Sequence, residues 1–244
     1  MKQYEAVIKV MEENGGFATL GHLYNNVLKV TGCNWKTKTP YASIRRIVQD
    51  ERFFFKIKPG LWALKTHKED VLKKFSIDDK SPIKKKEEFS HSYFQGLLVE
   101  IGNIKGFETF VPNQDKNKKF LDKSLKEVST LDTIYPFTYP EIVKKAETVD
   151  VIWFNNRKFP TRFFEVEHTT DFYNSLLKFN ELQDFLVEFY MVSSPNREKL
   201  FNNKINIEAF RTIKKRVGFL DYEKLSKYHS QCFELYKTER DIGF

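Results

Sequence analysis

The sequence predicts an α/β protein of the α+β kind, with a small N-terminal domain and a larger C-terminal one. Three observations carry this expectation. Apolar residues recur at helical spacing through Val48 and then give way to a strand pair around Pro59-Gly60. A Lys-rich stretch, residues 66–89, breaks the pattern and reads as a linker. Beyond it a helix, three strand-like segments, a second helix and an apolar strand follow in that order.

In the first part, residues 1–65, Tyr4, Val7, Ile8 and Met11 share one helical face and Gly15-Gly16 ends the run. Thr19 precedes a second helix through Leu20, Leu23, Tyr24, Val27 and Leu28. Thr39-Pro40 opens a third through Ile44 and Val48, with threonine at the N-cap and proline at the first helical position. The segments 53–58 and 61–64, around the Pro59-Gly60 turn, read as a hairpin.

In the second part, residues 90–244, Phe94, Leu97, Leu98, Ile101 and Ile104 give the stripe of a helix closed by Gly106. A strand is expected over 107–112, then a polar insertion over 113–139 whose start is rich in charge. Two strands come next, 148–153 and 163–168, joined through the turn chemistry of Asn155-Asn156. A helix over about 171–185 and the strand 189–192 complete the order. Arg197, Lys199, Arg211, Lys214, Lys215 and Arg216 mark a basic tail region with helical pieces.

Composition narrows the function classes. The chain has 244 residues, 41% hydrophobic and 16% aromatic, which suits packed cores and excludes a disordered protein. Lys and Arg number 41 against 33 Asp and Glu, a net charge of +8, so a polyanionic partner such as nucleic acid is expected. Cys33 and Cys232 alone make neither a disulfide framework nor a thiolate zinc site, as befits a reducing compartment. No segment is apolar for long enough to span a bilayer, so the expected location is the cytoplasm and no membrane is expected among the partners.

The chemistry concentrates on the strand pair. Alternation places Glu165 and Glu167 on one sheet face and Phe164 and Val166 on the other, and Asp150 lies between two valines on the preceding strand. Several carboxylates within apolar strands need cationic compensation, and a divalent metal supplies it. Paired lysines and arginines on an exposed face would be the metal-free alternative.

Two resemblances follow from these residues. Three short helices followed by a hairpin resemble a winged helix-turn-helix, in which the third helix enters the major groove and the hairpin lies along the phosphates. The implied DNA-facing residues are Lys36, Lys38, Tyr41, Ser43, Arg45 and Arg46 on or before the third helix, with Lys56 and Lys58 on the hairpin. From residue 90 to about 195, the element order with an acid on the second strand and Glu-x-Glu on the third resembles the restriction-endonuclease-like PD-(D/E)XK nucleases, an αβββαβ core with a mixed central sheet.

That second resemblance implies a metal-dependent DNA endonuclease, a type II-like restriction enzyme or its modification-dependent variety, using Mg²⁺ with Mn²⁺ as a substitute. Asp150 and Glu165 would be metal ligands, joined by the carbonyl of Val166 and by Glu100 on the first helix. Double-stranded DNA is the implied partner, and cutting both strands of a palindrome implies a two-fold homodimer. Glu167 departs from the pattern, which has lysine there. The general base is therefore open between Glu167, a migrated Lys178 on the following helix, and His168, ranked last because it points to the other sheet face. Gln183, assigned to the same helix as Lys178, is a candidate for positioning substrate or water. Competing readings are a DNA-binding regulator with an inactive nuclease-like domain, and a nuclease acting on RNA or repair intermediates.

Overall fold

The sequence folds, in a computed structural model that describes residues 1–169 and 171–243 (Asp241 by its backbone only), into two compact units. One comprises residues 1–85 with 226–244, the other residues 86–225. No helix of the described residues is long and apolar enough to cross a membrane.

The first unit begins with α1 (Gln3–Glu13), which buries Ala6, Val7, Val10 and Met11 along one face. Gly15 and Gly16, at φ +76° and +87°, end it, and the Gly16 N–H donates to the Met11 carbonyl at 2.7 Å. β1 (Phe17–Thr19), which periodicity alone does not predict, leads directly into α2 (Leu20–Asn26). Thr19 is a true N-cap there, its hydroxyl accepting from the His22 N–H at 3.1 Å. α3 (Pro40–Ile47) opens on Pro40 as expected, but the Thr39 hydroxyl makes no cap bond. Instead the Thr39 N–H donates to Thr37 Oγ1 at 3.1 Å.

The hairpin consists of β2 (Phe54–Lys58) and β3 (Leu61–Leu64), and β1 pairs with β3 to give the antiparallel order β1-β3-β2. Tyr24, Ile44, Val48, Phe54 and Leu64 close the core under it. The Lys-rich stretch is not wholly extended. It contains α4 (Lys68–Lys74), where Val71 is buried, and Phe75 packs edge-on against Phe17 at 4.9 Å. Apolar residues at 71 and 75, one helical turn apart, account for that packing.

The second unit is organised by a five-stranded mixed sheet. α5 (Ile83–Ile104) enters it from Lys86 onward and ends before Gly106, at φ +76°. Then come β4 (Glu108–Phe110), the two-residue strands β5 (Lys119–Phe120) and β6 (Lys123–Ser124), α6 (Leu125–Val128) and α7 (Pro140–Ala146). The polar insertion is thus structured, with Ser124 and Glu127 forming a reciprocal capping box on α6.

β7 (Val151–Phe154), β8 (Pro160–Val166), α8 (Tyr173–Glu181), β9 (Glu188–Ser193), α9 (Glu198–Ile205), β10 (Val217–Asp221) and α10 (Tyr222–Ile242) complete the chain, α10 belonging to this unit as far as Leu225. The sheet order is β10-β9-β8-β7-β4, antiparallel from β4 to β8 and parallel from β8 to β10.

The expected hairpin is present, with Val151 opposite Phe164 and Ile152 opposite Phe163, but its ends differ from the expectation. Thr148 and Val149 close a turn after α7, Asp150 stands just before β7, and Glu167 and His168 stand just past β8. β10 replaces part of the expected helical tail; Gly218 interrupts its apolar run, and a Cβ there would meet the Tyr190 ring at 3.1 Å.

β8 is central and buried on both faces. On one face Phe163 packs with Leu176 and Phe179 of α8 and Phe201 of α9. On the other, Phe164 stacks on Tyr190 at 5.3 Å and packs at a tilt against Trp153 at 4.8 Å, and the Trp153 indole donates to the Leu98 carbonyl of α5 at 3.2 Å. The unit is therefore layered helix, sheet, helix, and the C-terminal end of β8 opens between the layers.

Candidate active site

Alternation along β8 decides which layer each acid meets. Glu165 shares a face with Phe163 and points at α8, where Ser175 and Lys178 stand three residues apart on the same helical side. Lys178 Nζ lies 3.0 Å from both carboxylate oxygens of Glu165 and 3.0 Å from the carbonyl of Thr148. The Ser175 hydroxyl lies 3.0 Å from Glu165 Oε2 and 2.5 Å from Glu167 Oε1. Glu165 is 2% exposed, so it is a buried carboxylate with a lysine and a serine as partners.

Glu167 is held through its backbone. Its carbonyl accepts from Ser193 Oγ (2.5 Å), Arg197 Nη1 (3.0 Å) and Tyr222 Oη (3.2 Å), while its N–H donates to the Val192 carbonyl at 2.8 Å. His168 turns the other way. Its Nδ1 is 2.6 Å from Tyr222 Oη, and its ring lies 5.9 Å from that of His91.

Asp150, 7% exposed, meets the other layer. Its Oδ2 accepts from the Val166 backbone N–H at 2.7 Å and lies 3.1 Å from His91 Nε2 on α5. Gln95, one turn beyond His91, donates to the Asp150 carbonyl at 3.2 Å and to Asp115 Oδ2 at 2.6 Å. His91, Asp115 and Asp150 each offer a ligand atom, all within 4.8 Å of one another.

Asp150 and Glu165, buried on adjacent strand ends, feel each other's charge and their affinities for a proton are driven apart. Burial pushes Glu165 up to about 8, the charge on Asp150 adds to this, and Lys178 and Ser175 recover only part. Burial also works against an ionised Asp150, but the His91 imidazolium and the Val166 N–H outweigh it and hold the acid below the usual aspartate range. Burial works against the charged forms of His91 and Lys178 as well; their carboxylate neighbours win and raise both. The cluster is thus short of positive charge, which is the condition a cation relieves.

The structure brings together Asp150, Glu165, Glu167, Lys178 and the backbone of Val166. Glu100 is not with them, because it lies nine residues past His91 on α5, roughly 13–14 Å of helix rise. His91 takes the place against Asp150 that the resemblance assigned to Glu100. Gln183 falls two residues past the end of α8, where its carbonyl accepts from Arg216 at 2.5 Å. Gln95 and Ser175 carry no expectation from the sequence, His91 has no metal-ligand spacing there, and Asp115 reads only as part of the charged start of the insertion. Spacing of His91 and Gln95 by one helical turn was a signal available in the sequence. For Asp115, inside a charged insertion, there was none.

In the first unit Lys36, Lys38, Arg46 and Lys56 are exposed. Tyr41 is half-buried against Tyr24 at 4.9 Å, and the Ser43 hydroxyl donates to the Thr39 carbonyl at 3.3 Å. Lys58 is partly buried, which pulls its ammonium below the usual lysine range. Arg45 is committed within the unit: one guanidinium nitrogen lies 2.9 Å from Tyr24 Oη and 3.1 Å from Glu234 Oε2.

The fold and the cluster define an α/β unit with a buried carboxylate–lysine site at the end of a central strand. The family model described as the type II restriction enzyme NmeDI C-terminal domain matches residues 73–238, and the chain belongs to that family. The matched span includes the whole cluster and leaves out α1 to α3 and the hairpin. The chain is similar to the type II restriction enzyme NmeDI of Neisseria meningitidis serogroup C, with 25% identity over 167 residues, covering 63% of this chain and 46% of that protein. It thus spans about half the length of this curated relative. No solved structure matches the chain.

Proposed function

We propose that the chain is a metal-dependent endonuclease of the type II restriction kind, cutting phosphodiester bonds of double-stranded DNA at a PD-(D/E)XK-like site. The observation that carries this is the convergence of Lys178 and Ser175 on Glu165 and Glu167 beside Asp150. Asp150, Glu165 and the carbonyl of Val166 are the oxygen donors that would hold Mg²⁺, a hard cation that keeps several waters and needs few protein ligands. Their fit rests on the charge shortage of the buried acid pair. Mg²⁺ lowers the pKa of a bound water and stabilises charge on the leaving oxygen.

The remaining roles follow from the side chains. Lys178 faces three acceptors, two oxygens of Glu165 and the carbonyl of Thr148, so it acts as a fixed ammonium and not as a base. It occupies the role of the family's lysine from α8, while Glu167 stands at the lysine's own position. The proton of the attacking water then falls to Glu167, whose main chain is pinned by Ser193, Arg197 and Tyr222. The first unit fits a winged helix that holds DNA through Lys36, Lys38, Arg46 and Lys56, and two copies related by a two-fold axis would cut both strands.

The test is a cleavage assay on methylated and unmethylated plasmid with Mg²⁺, Mn²⁺ or EDTA, using wild type beside Glu165→Ala. Discrete fragments that need metal and vanish in the variant are expected, and any methylation preference would define the type of enzyme. Equal cleavage by both proteins, or none on either plasmid, would overturn the proposal.

A further inference from the structure

The polar groups on the α5 side of Asp150 exceed what the nuclease reading uses. His91 Nε2 and Asp150 Oδ2 are 3.1 Å apart, close to the separation of about 3.0–3.4 Å expected for two donors on one cation with bonds of about 2.1 Å. Asp115, 1% exposed, completes the group from the insertion. Gln95 is fully buried and already donates to Asp115 and to the Asp150 carbonyl. Its own Oε1 nevertheless has no hydrogen-bond partner among the described residues, and neither has the buried His91 Nδ1. Such buried orphans are uncommon and call for an explanation.

We propose that His91, Asp115 and Asp150 form a second divalent-cation site, next to the Asp150–Glu165 pair and sharing Asp150 with it. One nitrogen and two carboxylates favour a first-row transition ion such as Mn²⁺ or Zn²⁺ over Mg²⁺, which prefers an all-oxygen shell. Lys118 holds the place of that ion: its ammonium, 29% exposed, lies 2.5 Å from Asp115 Oδ1 in an ion pair whose direction does not satisfy that oxygen as a hydrogen bond. A dication at the trio displaces Lys118 towards solvent and ties the insertion to α5 and to the start of β7. The site deepens the nuclease reading through Asp150, but its binding can be measured without DNA.

The experiment is a Mn²⁺ titration of the intact chain, followed by electron paramagnetic resonance of free Mn²⁺ and by calorimetry, with thermal unfolding as the check on folding. Wild type is expected to bind two equivalents. His91→Ala and Asp115→Asn should each weaken one equivalent by more than about 100-fold while the other persists, since losing a ligand exceeds the 10–100-fold effect of losing a supporting residue. Glu165→Gln should weaken the other equivalent.

Lys118→Met removes the competing ammonium and should tighten Mn²⁺ binding about two- to fivefold, a gain that misfolding cannot imitate. Unchanged stoichiometry and affinity in His91→Ala, or no tightening in Lys118→Met, would overturn the proposal. Two equivalents falling to one without any DNA cleavage would sink the nuclease reading and leave this site standing. Cleavage by a protein whose His91→Ala variant binds Mn²⁺ like wild type would do the reverse.

Discussion

The acid cluster at the end of β8 and the basic residues of α3 and its hairpin are both charged regions, but they are built on opposite principles. Around Glu165 the charged groups are buried or half-buried and engaged: Lys178 and Ser175 lie within hydrogen-bond distance of Glu165, and Asp150 is held by the Val166 N–H and His91. Around α3, Lys36, Lys38 and Arg46 stand exposed to solvent. Burial raises the energetic stakes of each pairing, so the first region has one arrangement. The second can adapt to a partner, as binding to phosphates requires.

The sharpest break between the two regions comes from Glu165→Gln. It removes a charge on which a bound cation and Lys178 depend, and loss of several kcal/mol of transition-state stabilisation corresponds to a fall in cleavage of at least about 10³-fold. The same change should alter the pH dependence of stability in EDTA. Glu165 has a folded value of about 8, above its ordinary 4.5, so the folded protein holds a proton that the unfolded chain releases.

Stability therefore falls as pH rises through that window, by up to about 1.4 kcal/mol per pH unit. His91, also raised, adds a loss above its ordinary 6.5, and Asp150, lowered, loses its contribution only in acid. Between pH 5 and 6.5 the slope therefore belongs mainly to Glu165, and thermal unfolding of Glu165→Gln should be flatter there than that of wild type. Parallel slopes would mean that Glu165 is not a strained acid.

How much of this was legible in the sequence follows from the same contrast. Glu165, Glu167 and Asp150 could be found because alternation within a strand is local and acids in an apolar run are anomalous. Lys178 was within reach because it follows on the next helix. Asp115 meets His91 only through the fold of the insertion between β4 and β7, and a charged segment such as Asp115–Lys119 looks the same whether or not one of its acids is buried. β10 escaped because a glycine breaks a run of five residues, and α4 because a Lys-rich composition concealed Val71 and Phe75. The three helices and the hairpin of the first unit followed directly from periodicity and turn chemistry.

On the basic side, replacing Lys36, Lys38, Arg46 and Lys56 together by alanine should weaken DNA binding without disturbing the fold, since all four are exposed. Each phosphate that the protein no longer neutralises makes the plot of log affinity against log salt shallower by about 0.9, so removing four cations predicts a decrease of roughly 3–4 in its steepness. Filter binding or anisotropy over a salt series measures it. An unchanged slope would remove this face from the DNA path and leave the second unit to bind alone.

Arg45 tests the smallest difference, because it belongs to the basic helix by sequence but is engaged with Tyr24 and Glu234 in the structure. Its guanidinium is shared between Tyr24 and Glu234, with the arginine and glutamate side chains 39% and 37% exposed. Solvent screening at that exposure limits the ion pair to about 0.2–1 kcal/mol. Arg45→Ala should therefore lower the unfolding midpoint by no more than a few degrees and leave the salt slope of DNA binding at the wild-type value. A slope shallower by about 0.9 instead would show that Arg45 leaves Glu234 to meet a phosphate, and that the exposed and engaged charges of the first unit exchange roles when DNA arrives.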